Sequence, residues 1–131
     1  MNAPSEDIKD MLVANSDLGL VFGTNLFIGF EPAKPDSCVT LFDVPGFSPE
    51  LVLSGQSTYE YPSLSVRVSS KDQKVGYALA QKIKDALHGV GPETWNSTLY
   101  TVIYCTSGPA LLDRDENGRF RFIINFNTQR R

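Results

Sequence analysis

Two segments of the chain alternate between apolar and polar residues, and this pattern constrains the fold more than any other feature. Residues 64–69 read Leu-Ser-Val-Arg-Val-Ser, and residues 120–126 carry an aromatic or branched side chain at every second position. Successive side chains of a strand point to opposite faces, so each segment predicts a strand with one buried face. A sheet with one apolar face needs a second layer to cover it.

Two segments with helical periodicity can supply that layer. The first, Ser5–Ala14, begins with a capping residue and acidic side chains and spaces its apolar residues at helical intervals. In the second, Ser70 and Gln73 form a capping-box pattern, and His88 and Gly89 mark the end of the helix. The apolar face of this second helix is predicted to consist of Val75, Leu79, Ile83, Ala86 and Leu87.

Further strands are predicted where β-branched and aromatic residues cluster. These are residues 18–22, residues 38–44 ending at Pro45-Gly46, and residues 99–105, with a turn at 91–96 and a break at 107–109. Residues 26–30, after a turn, are either a second short strand or a segment at the rim of the sheet. The resulting order is α-β-β-β-α-β-β. It predicts an α+β fold of two layers, in which a mainly antiparallel mixed sheet carries both helices on one face.

The length of the chain sets the number of domains. Its 131 residues, 41% of them hydrophobic, suffice for one packed core and are too few to suggest two. We therefore expect one domain over residues 1–131, with a long surface loop at about 45–62 where Pro, Gly, Ser, Gln and Tyr replace the apolar pattern. Loops of this length in compact domains are uncommon and usually functional or disordered.

Charge and hydropathy exclude several classes of protein. A net charge of −3 argues against a free-standing nucleic-acid binder held by phosphate contacts. The N-terminus lacks a basic region followed by an apolar run, so no signal peptide or export is expected. The most apolar stretch, residues 18–30, is interrupted by three glycines and is too short to span a bilayer. Cys38 and Cys105 lie in apolar runs and are predicted to be free thiols.

Metal binding has one candidate, the segment Asp113–Gly118. It matches the first half of a calcium loop, but the position that should supply a bidentate carboxylate is Ile124, inside the alternating strand. We therefore interpret it as a tight turn in which Asn117 and Gly118 take positive φ angles, with no metal ligands.

Catalysis would depend on a single histidine, His88, at the predicted end of a helix, where a cation is favourable. No nucleophile elbow, catalytic cysteine context or nucleotide-binding glycine pattern accompanies it. A pair of carboxylates meeting in space stays open from the sequence, with Asp43, Glu50, Glu60 and Asp115 as the acids concerned. We expect no enzyme, no cofactor and no catalytic residues.

Charged residues concentrate near the C-terminus, where five of the twelve basic residues occupy the last eighteen positions. One interpretation is a solvated strand face; the other is a contact with a neighbouring copy of the chain, since complementary charges fix the register between subunits. The interface candidates are Asp113, Arg114, Asp115, Glu116, Arg119, Arg121 and, on the earlier alternating strand, Arg67. On this hypothesis Asp115→Lys or Arg119→Glu weakens assembly and leaves the monomer folded.

Four segments in this order carry a resemblance to a known family: Leu41–Gly46, Tyr61–Val68, Tyr77–Gly89 and Arg114–Phe126. From about residue 12 to the C-terminus, the chain resembles minor capsid proteins of tailed bacteriophages, of the type of the tail terminators of long, flexible-tailed phages. The segment Ser65-Val66-Arg67 stands where members of the family often have a sequence like Gln-Val-Arg.

The resemblance implies a structural virion protein of the tail or neck, assembled in the cytoplasm of the bacterial host. It implies a ring, usually of six copies, that stops tube polymerisation at the head-proximal end of the tail and presents a surface to the head. The implied partners are further copies of the chain, the tail tube protein, a head–tail connector or stopper, and passing genomic DNA bound without sequence specificity. The alternative is a head-side adaptor or stopper ring; a small ligand-binding domain or hydrolase is a more remote one.

Overall fold

The computed structural model describes residues 1–49 and 59–131, which form two helices and a six-stranded sheet. The elements are α1 (Pro4–Ala14), β1 (Leu26–Ile28), β2 (Cys38–Phe47), β3 (Tyr61–Ser70), α2 (Gln73–Leu87), β4 (Glu93–Trp95), β5 (Thr98–Arg114) and β6 (Phe120–Arg130). The strand order is β1-β2-β3-β6-β5-β4, and every neighbouring pair is antiparallel except the parallel pair β1 and β2. The predicted α+β class is confirmed.

The core lies between the sheet and the helices, as the alternation predicts. Val66 of β3 pairs with Ile124 of β6, and both side chains are fully buried. One cluster of buried residues joins this face of the sheet to both helices; the helices contribute Ile8, Met11, Leu12, Ala80, Ile83 and Leu87. Both helices therefore cover the same face, and the opposite face has no helix among the described residues.

The start of α1 differs from its prediction. The helix begins at Pro4, with Ala3 as its N-cap, and no side chain caps it. Ser5 is buried in the first turn, where its hydroxyl donates to a carboxylate oxygen of Asp43 at 2.6 Å. A proline fits the first turn because its missing N–H has no helical partner there. Ser5 thus links α1 to β2 through a hydrogen bond and does not cap the helix.

The predicted capping box of α2 is also wrong. Asp72 is the N-cap and accepts backbone N–H groups of the first turn, while Ser70 accepts the N–H of Asp72 itself. Val75, predicted on the buried face, is exposed, and its neighbour Gly76 is buried instead. A Cβ at Gly76 would lie 2.8 Å from the Phe122 ring, so the close approach of helix and sheet requires a glycine.

Two short elements differ from the sequence prediction. Residues 18–22 do not form a strand; Phe22 makes one isolated bridge, although Leu18 and Leu20 are buried in the core. The predicted turn at 91–96 contains β4, which pairs with the start of β5 through the two-residue turn Asn96-Ser97. Both turn residues have positive φ, as the tight hairpin turn requires, and Asn accepts that conformation more readily than most residues.

The predicted break at Ser107-Gly108-Pro109 does not end its strand. β5 continues to Arg114, with register shifts between Cys105 and Ala110 that absorb the extra residues. Gly108 has a φ of 91°, and a Cβ there would stand 2.4 Å from the carbonyl oxygen of Ile123 on β6. The glycine therefore permits a close approach that keeps the two strands paired.

The predicted loop at about 45–62 has strand residues at both of its ends. β2 extends through Phe47, and β3 begins at Tyr61, so Pro45, Gly46 and Pro62 lie in strands. A register shift between Val44 and Phe47 accommodates the proline in β2. Residues 50–58, which make up half of the predicted loop and include Glu50, lie outside the described residues.

Neither cysteine forms a disulfide, as predicted. Cys38 is buried, and this burial raises the pKa of its thiol. Within the described parts of the chain, neither helix has the length and apolar character needed to cross a membrane.

Candidate functional site

The charged interface candidates gather at the end of the sheet where β5 turns into β6. Asp113 and Arg114 end β5, Asp115 and Glu116 lie in the turn, Arg119 immediately precedes β6, and Arg121 lies in it. The seventh candidate, Arg67, alternates with the buried side chains of β3 and therefore belongs to the helix-free face. The connection from β1 to β2 crosses this face, because its Glu31 accepts from Ser69 of β3.

Arg119 is buried and bonded entirely within the chain. Its Nε donates to Asp115 at 2.7 Å, and its Nη1 donates to the carbonyl oxygens of Pro32 at 2.8 Å and Pro35 at 3.3 Å. Burial by itself raises the pKa of Asp115, but the hydrogen bonds from the backbone and side chain of Arg119 bring that pKa below its usual value. Arg119 thus fastens the hairpin turn to the β1–β2 connection. Arg119→Glu would place an unpaired negative charge at a buried position, so we expect it to destabilise the folded monomer. This variant therefore does not test assembly separately from folding.

Arg121 holds a second set of ion pairs on the helix-free face. It donates to both carboxylate oxygens of Asp113 on the paired strand and, at 2.8 Å, to Glu31. The hydrogen bond from Arg121 lowers the pKa of Asp113, and Asp113 raises the pKa of Arg121 in return. Oε2 of Glu31 also lies 3.9 Å from Nη1 of Arg67. The sequence contains no signal for Glu31, because its loop is far from these arginines along the chain.

Three of the candidates keep exposed or incompletely bonded charge. Arg67 stacks over the Phe42 ring at 4.9 Å, and its Nε is buried without a hydrogen-bond partner among the described residues. Arg114 is exposed and lies over the Phe120 ring at 5.2 Å. Glu116 is exposed and makes no ion pair with any residue of 1–49 or 59–131. A role of these seven residues at a subunit contact stays a prediction, and these three are the ones whose charge remains available for it.

The half calcium motif forms a hairpin turn. Asp115 Oδ1 accepts the backbone N–H groups of Asn117 and Arg119, which turns this carboxylate toward its own backbone. Gly118 has a φ of 77°, whereas Asn117, contrary to expectation, does not take a positive φ. Across the described residues no three His, Cys, Asp or Glu side chains come together as metal ligands.

His88 ends α2 and has a structural partner. Its Nδ1 accepts the backbone N–H of Cys105 on β5 at 2.9 Å. The imidazole thus links the end of α2 to the edge of β5. The Cys105 thiol contacts the carbonyl oxygens of Ser107 and Gly108, whereas the backbone N–H of Cys105 donates to His88.

A buried polar network at the opposite end of the sheet was missed by sequence reasoning. Asp7 of α1 is fully buried and accepts the Tyr100 hydroxyl at 2.5 Å and the Asn96 side chain at 2.7 Å. Arg130 donates to the Tyr100 hydroxyl and to Glu60. Burial, with the hydrogen bond to Asp7, raises the pKa of Tyr100. The network joins both ends of the chain, and no local pattern indicates it because its members are far apart in sequence.

Comparison with known proteins gives one family and one fold. The family model described as bacteriophage tail terminator protein matches residues 9–131. A chain of the solved structure titled "Virion of native gene transfer agent (GTA) particle" superimposes with a TM-score of 0.70 at 16% identity, covering 98% of this chain and 94% of that chain. At that identity the likeness is one of fold. No curated protein matches the chain.

Proposed function

The chain belongs to the bacteriophage tail terminator family, and from this premise we propose that it forms a ring at the head-proximal end of the tail tube. The ring ends tube polymerisation and provides the surface that the head joins. Membership of the family makes the chain a structural virion protein and not an enzyme, as predicted. The observation that carries the proposal is the extent of the match, which runs from α1 through every strand to the C-terminus.

The proposed partners are further copies of the chain, in a ring of six, together with the tail tube protein and a head–tail connector or stopper. An open sheet with two different edges suits a ring, because repeated contacts between unlike surfaces close into one when the rotation allows. Genomic DNA would pass through without sequence-specific contacts. The net charge of −3 supports this, since an acidic protein offers few phosphate contacts. We place the protein in the tail or neck of the virion, after assembly in the bacterial cytoplasm.

The deciding experiment is electron microscopy of particles from a phage genome in which this gene is deleted. Filled heads without tails, beside tail tubes that are too long and uneven in length, are the expected result. Supplying the gene in trans should restore tails of one length, which is the control for an effect on neighbouring genes.

Two other outcomes would contradict the proposal. Empty heads beside tubes of normal length would assign the protein to the head side, as an adaptor or stopper. Intact, infectious particles would show that the protein has neither role.

A further inference from the structure

The outer edge of β5 is open along its second half. β4 covers only Thr98–Tyr100, and the next positions are bonded by the end of α2 and the chain just after it, through Val90 to Ile103 and His88 to Cys105. Beyond Cys105, β6 pairs with one edge of β5, and no strand of the described chain pairs with the outer edge of Thr106–Arg114. Nine residues span about 30 Å at roughly 3.3 Å each. From Ala110 to Arg114, the outward N–H and C=O groups form a template for another strand.

This open edge carries exposed apolar side chains. Leu111 and Leu112 are consecutive residues at a register shift between β5 and β6, and they are 50% and 41% exposed. Leu111 stands opposite Phe122 on β6, and the exposed ring of Tyr77 on α2 packs edge-on against Phe122 at 5.9 Å. Monomeric proteins avoid such edges, since charged or twisted strands are the usual protection against association.

The opposite edge of the sheet is also apolar. β1 has three residues, and exposed aromatic rings flank it at Phe22 and Phe30, the latter 5.6 Å from the ring of Phe27. β1 pairs with β2 only at residues 39–41, and among the described residues no strand pairs with the outer edge of β2 at Val44–Phe47. Phe47 and Phe30 are 69% and 59% exposed. The described sheet therefore ends in two unlike edges.

The charges of the two helices favour contact between unlike edges. α1 packs over β1, β2 and β3, and α2 packs over β3, β5 and β6. The charges of α1 outside the core are Glu6 and Asp10 against Lys9. Lys82 and Asp85 of α2 line a hollow with Asn15 and Asp17 of the same chain, and the remaining charges of α2 are Lys74 and Lys84. Both helices cover one face of the sheet. Joining the β5 edge of one copy to the β1 edge of the next therefore brings the basic helix α2 of the first copy beside the acidic helix α1 of the second. Joining two like edges brings helices of like charge together.

We propose that the β5 edge, Thr106–Arg114, of each copy docks on the β1–β2 edge, Phe22–Phe30 and Val44–Phe47, of the next copy. Leu111 and Leu112 are the anchors of this contact. The contact is head to tail, so every copy uses both edges. The inference rests on the proposed ring, for which it names the surfaces that meet.

The test is a photo-crosslink in assembled particles. A benzophenone amino acid replaces Leu112, particles are purified and irradiated, and crosslinked peptides are identified by mass spectrometry. We expect a species of twice the subunit mass whose crosslinks map from position 112 to residues 22–30 or 44–47. Lys82 provides the matched control, since it lines a hollow between α2 and the end of α1 with Asn15 and Asp17 and lies at neither edge. The same probe at Lys82 should give far less of the dimer species.

Three results would overturn the inference: a crosslink from position 112 to residues 104–114 of a second copy, a crosslink to another virion protein, or no crosslink in particles that contain the probe. Its failure is distinguishable from that of the proposed function. If deletion of the gene gives uneven tails but position 112 crosslinks to another protein, only the proposed contact is wrong. If the expected crosslink forms but deletion leaves tubes of normal length, only the proposed terminator function is wrong.

Discussion

The two halves of β5 belong to one strand and have opposite surroundings. In the first half, Tyr100 and Ile103 are fully buried, and β4 and β6 pair on either side. In the second half, Leu111 and Leu112 are exposed, and β6 alone pairs with the strand in the described structure. The first half belongs to the core of the monomer. The second half extends the sheet to an edge, which is the condition under which a strand can pair with another chain.

The difference between the halves shows that strand propensity and burial are separate properties. The first half is rich in β-branched and aromatic residues, whereas the second contains Ser107, Gly108 and Pro109 and still forms a strand. β6 holds it there through continued pairing to Arg114. Three sets of variants test what each half contributes to the stability of the monomer and to assembly.

The largest effect is expected for Tyr100→Ala. This side chain is fully buried and its hydroxyl donates to Asp7, so its loss creates a cavity and leaves a buried carboxylate without one of its donors. We expect a loss of about 3–5 kcal/mol in the free energy of unfolding, measured in urea. Tyr104→Ala, on the same strand but 39% exposed, is the control and should cost less than about 1 kcal/mol. Equal losses would mean that the burial of Tyr100 and its hydrogen bond to Asp7 do not carry the effect.

An intermediate effect is expected for Arg119→Ala, which removes the attachment of the turn that follows the second half. Asp115 loses one of its donors, and the carbonyl oxygens of Pro32 and Pro35 lose the donor Nη1, so we expect a loss of about 1–3 kcal/mol in the free energy of unfolding at pH 7. Arg114→Ala, at an exposed position of the same hairpin, should leave unfolding unchanged.

The cost of Arg119→Ala should depend on pH. The pKa of Asp115 in the folded protein lies below its usual value, the hydrogen bonds from Arg119 outweighing the effect of burial. The stabilisation is therefore complete above the unfolded pKa of about 4 and is lost as the pH falls through the folded pKa. The gap between variant and wild type should narrow below about pH 4. A gap that stays constant to pH 2 would show that the ion pair does not carry the effect.

The smallest effect on the monomer is expected for the double variant Leu111→Lys and Leu112→Lys. Both side chains are exposed, so the free energy of unfolding should change by less than about 0.5 kcal/mol. Lysine on an edge strand opposes pairing with another strand. The double variant should therefore fail to restore tails of even length in the deleted phage. Full restoration by a folded double variant would show that this half of β5 has no role in assembly.

Local patterns predicted the parts of the fold whose neighbours in space follow from periodicity. The alternation in β3 and β6 was sufficient, because one face of each strand is buried along its length. The end of α2 was also readable, since Gly89 takes a positive φ directly after the helix. Boundaries set by long-range contacts were not readable. Ser5 was predicted to cap a helix, because no residue near it in sequence indicates its hydrogen bond to Asp43. The residues of β4 were predicted to lie in a turn, because this short strand depends on its pairing with β5.

The candidate site was predicted as a set of charges and not as a set of contacts. The sequence places acids and arginines around one turn, but their pairing depends on Glu31, Pro32 and Pro35 from a distant connection. As a result, Arg119 is buried, while Arg67, Arg114 and Glu116 keep charge that the described chain does not fully use. The apolar edge at Leu111 and Leu112 was not predicted, because a pair of leucines in a sequence is equally consistent with a core.

The sequence by itself determined the two-layer architecture, because a strand with one apolar face can be stable only against a covering layer. It also determined the family, because the order of its segments over residues 9–131 is retained. Only the tertiary structure decided which charges neutralise one another and which strand edges stay open. Both depend on distances between residues far apart in the chain, and a local pattern carries no information about what lies across a sheet.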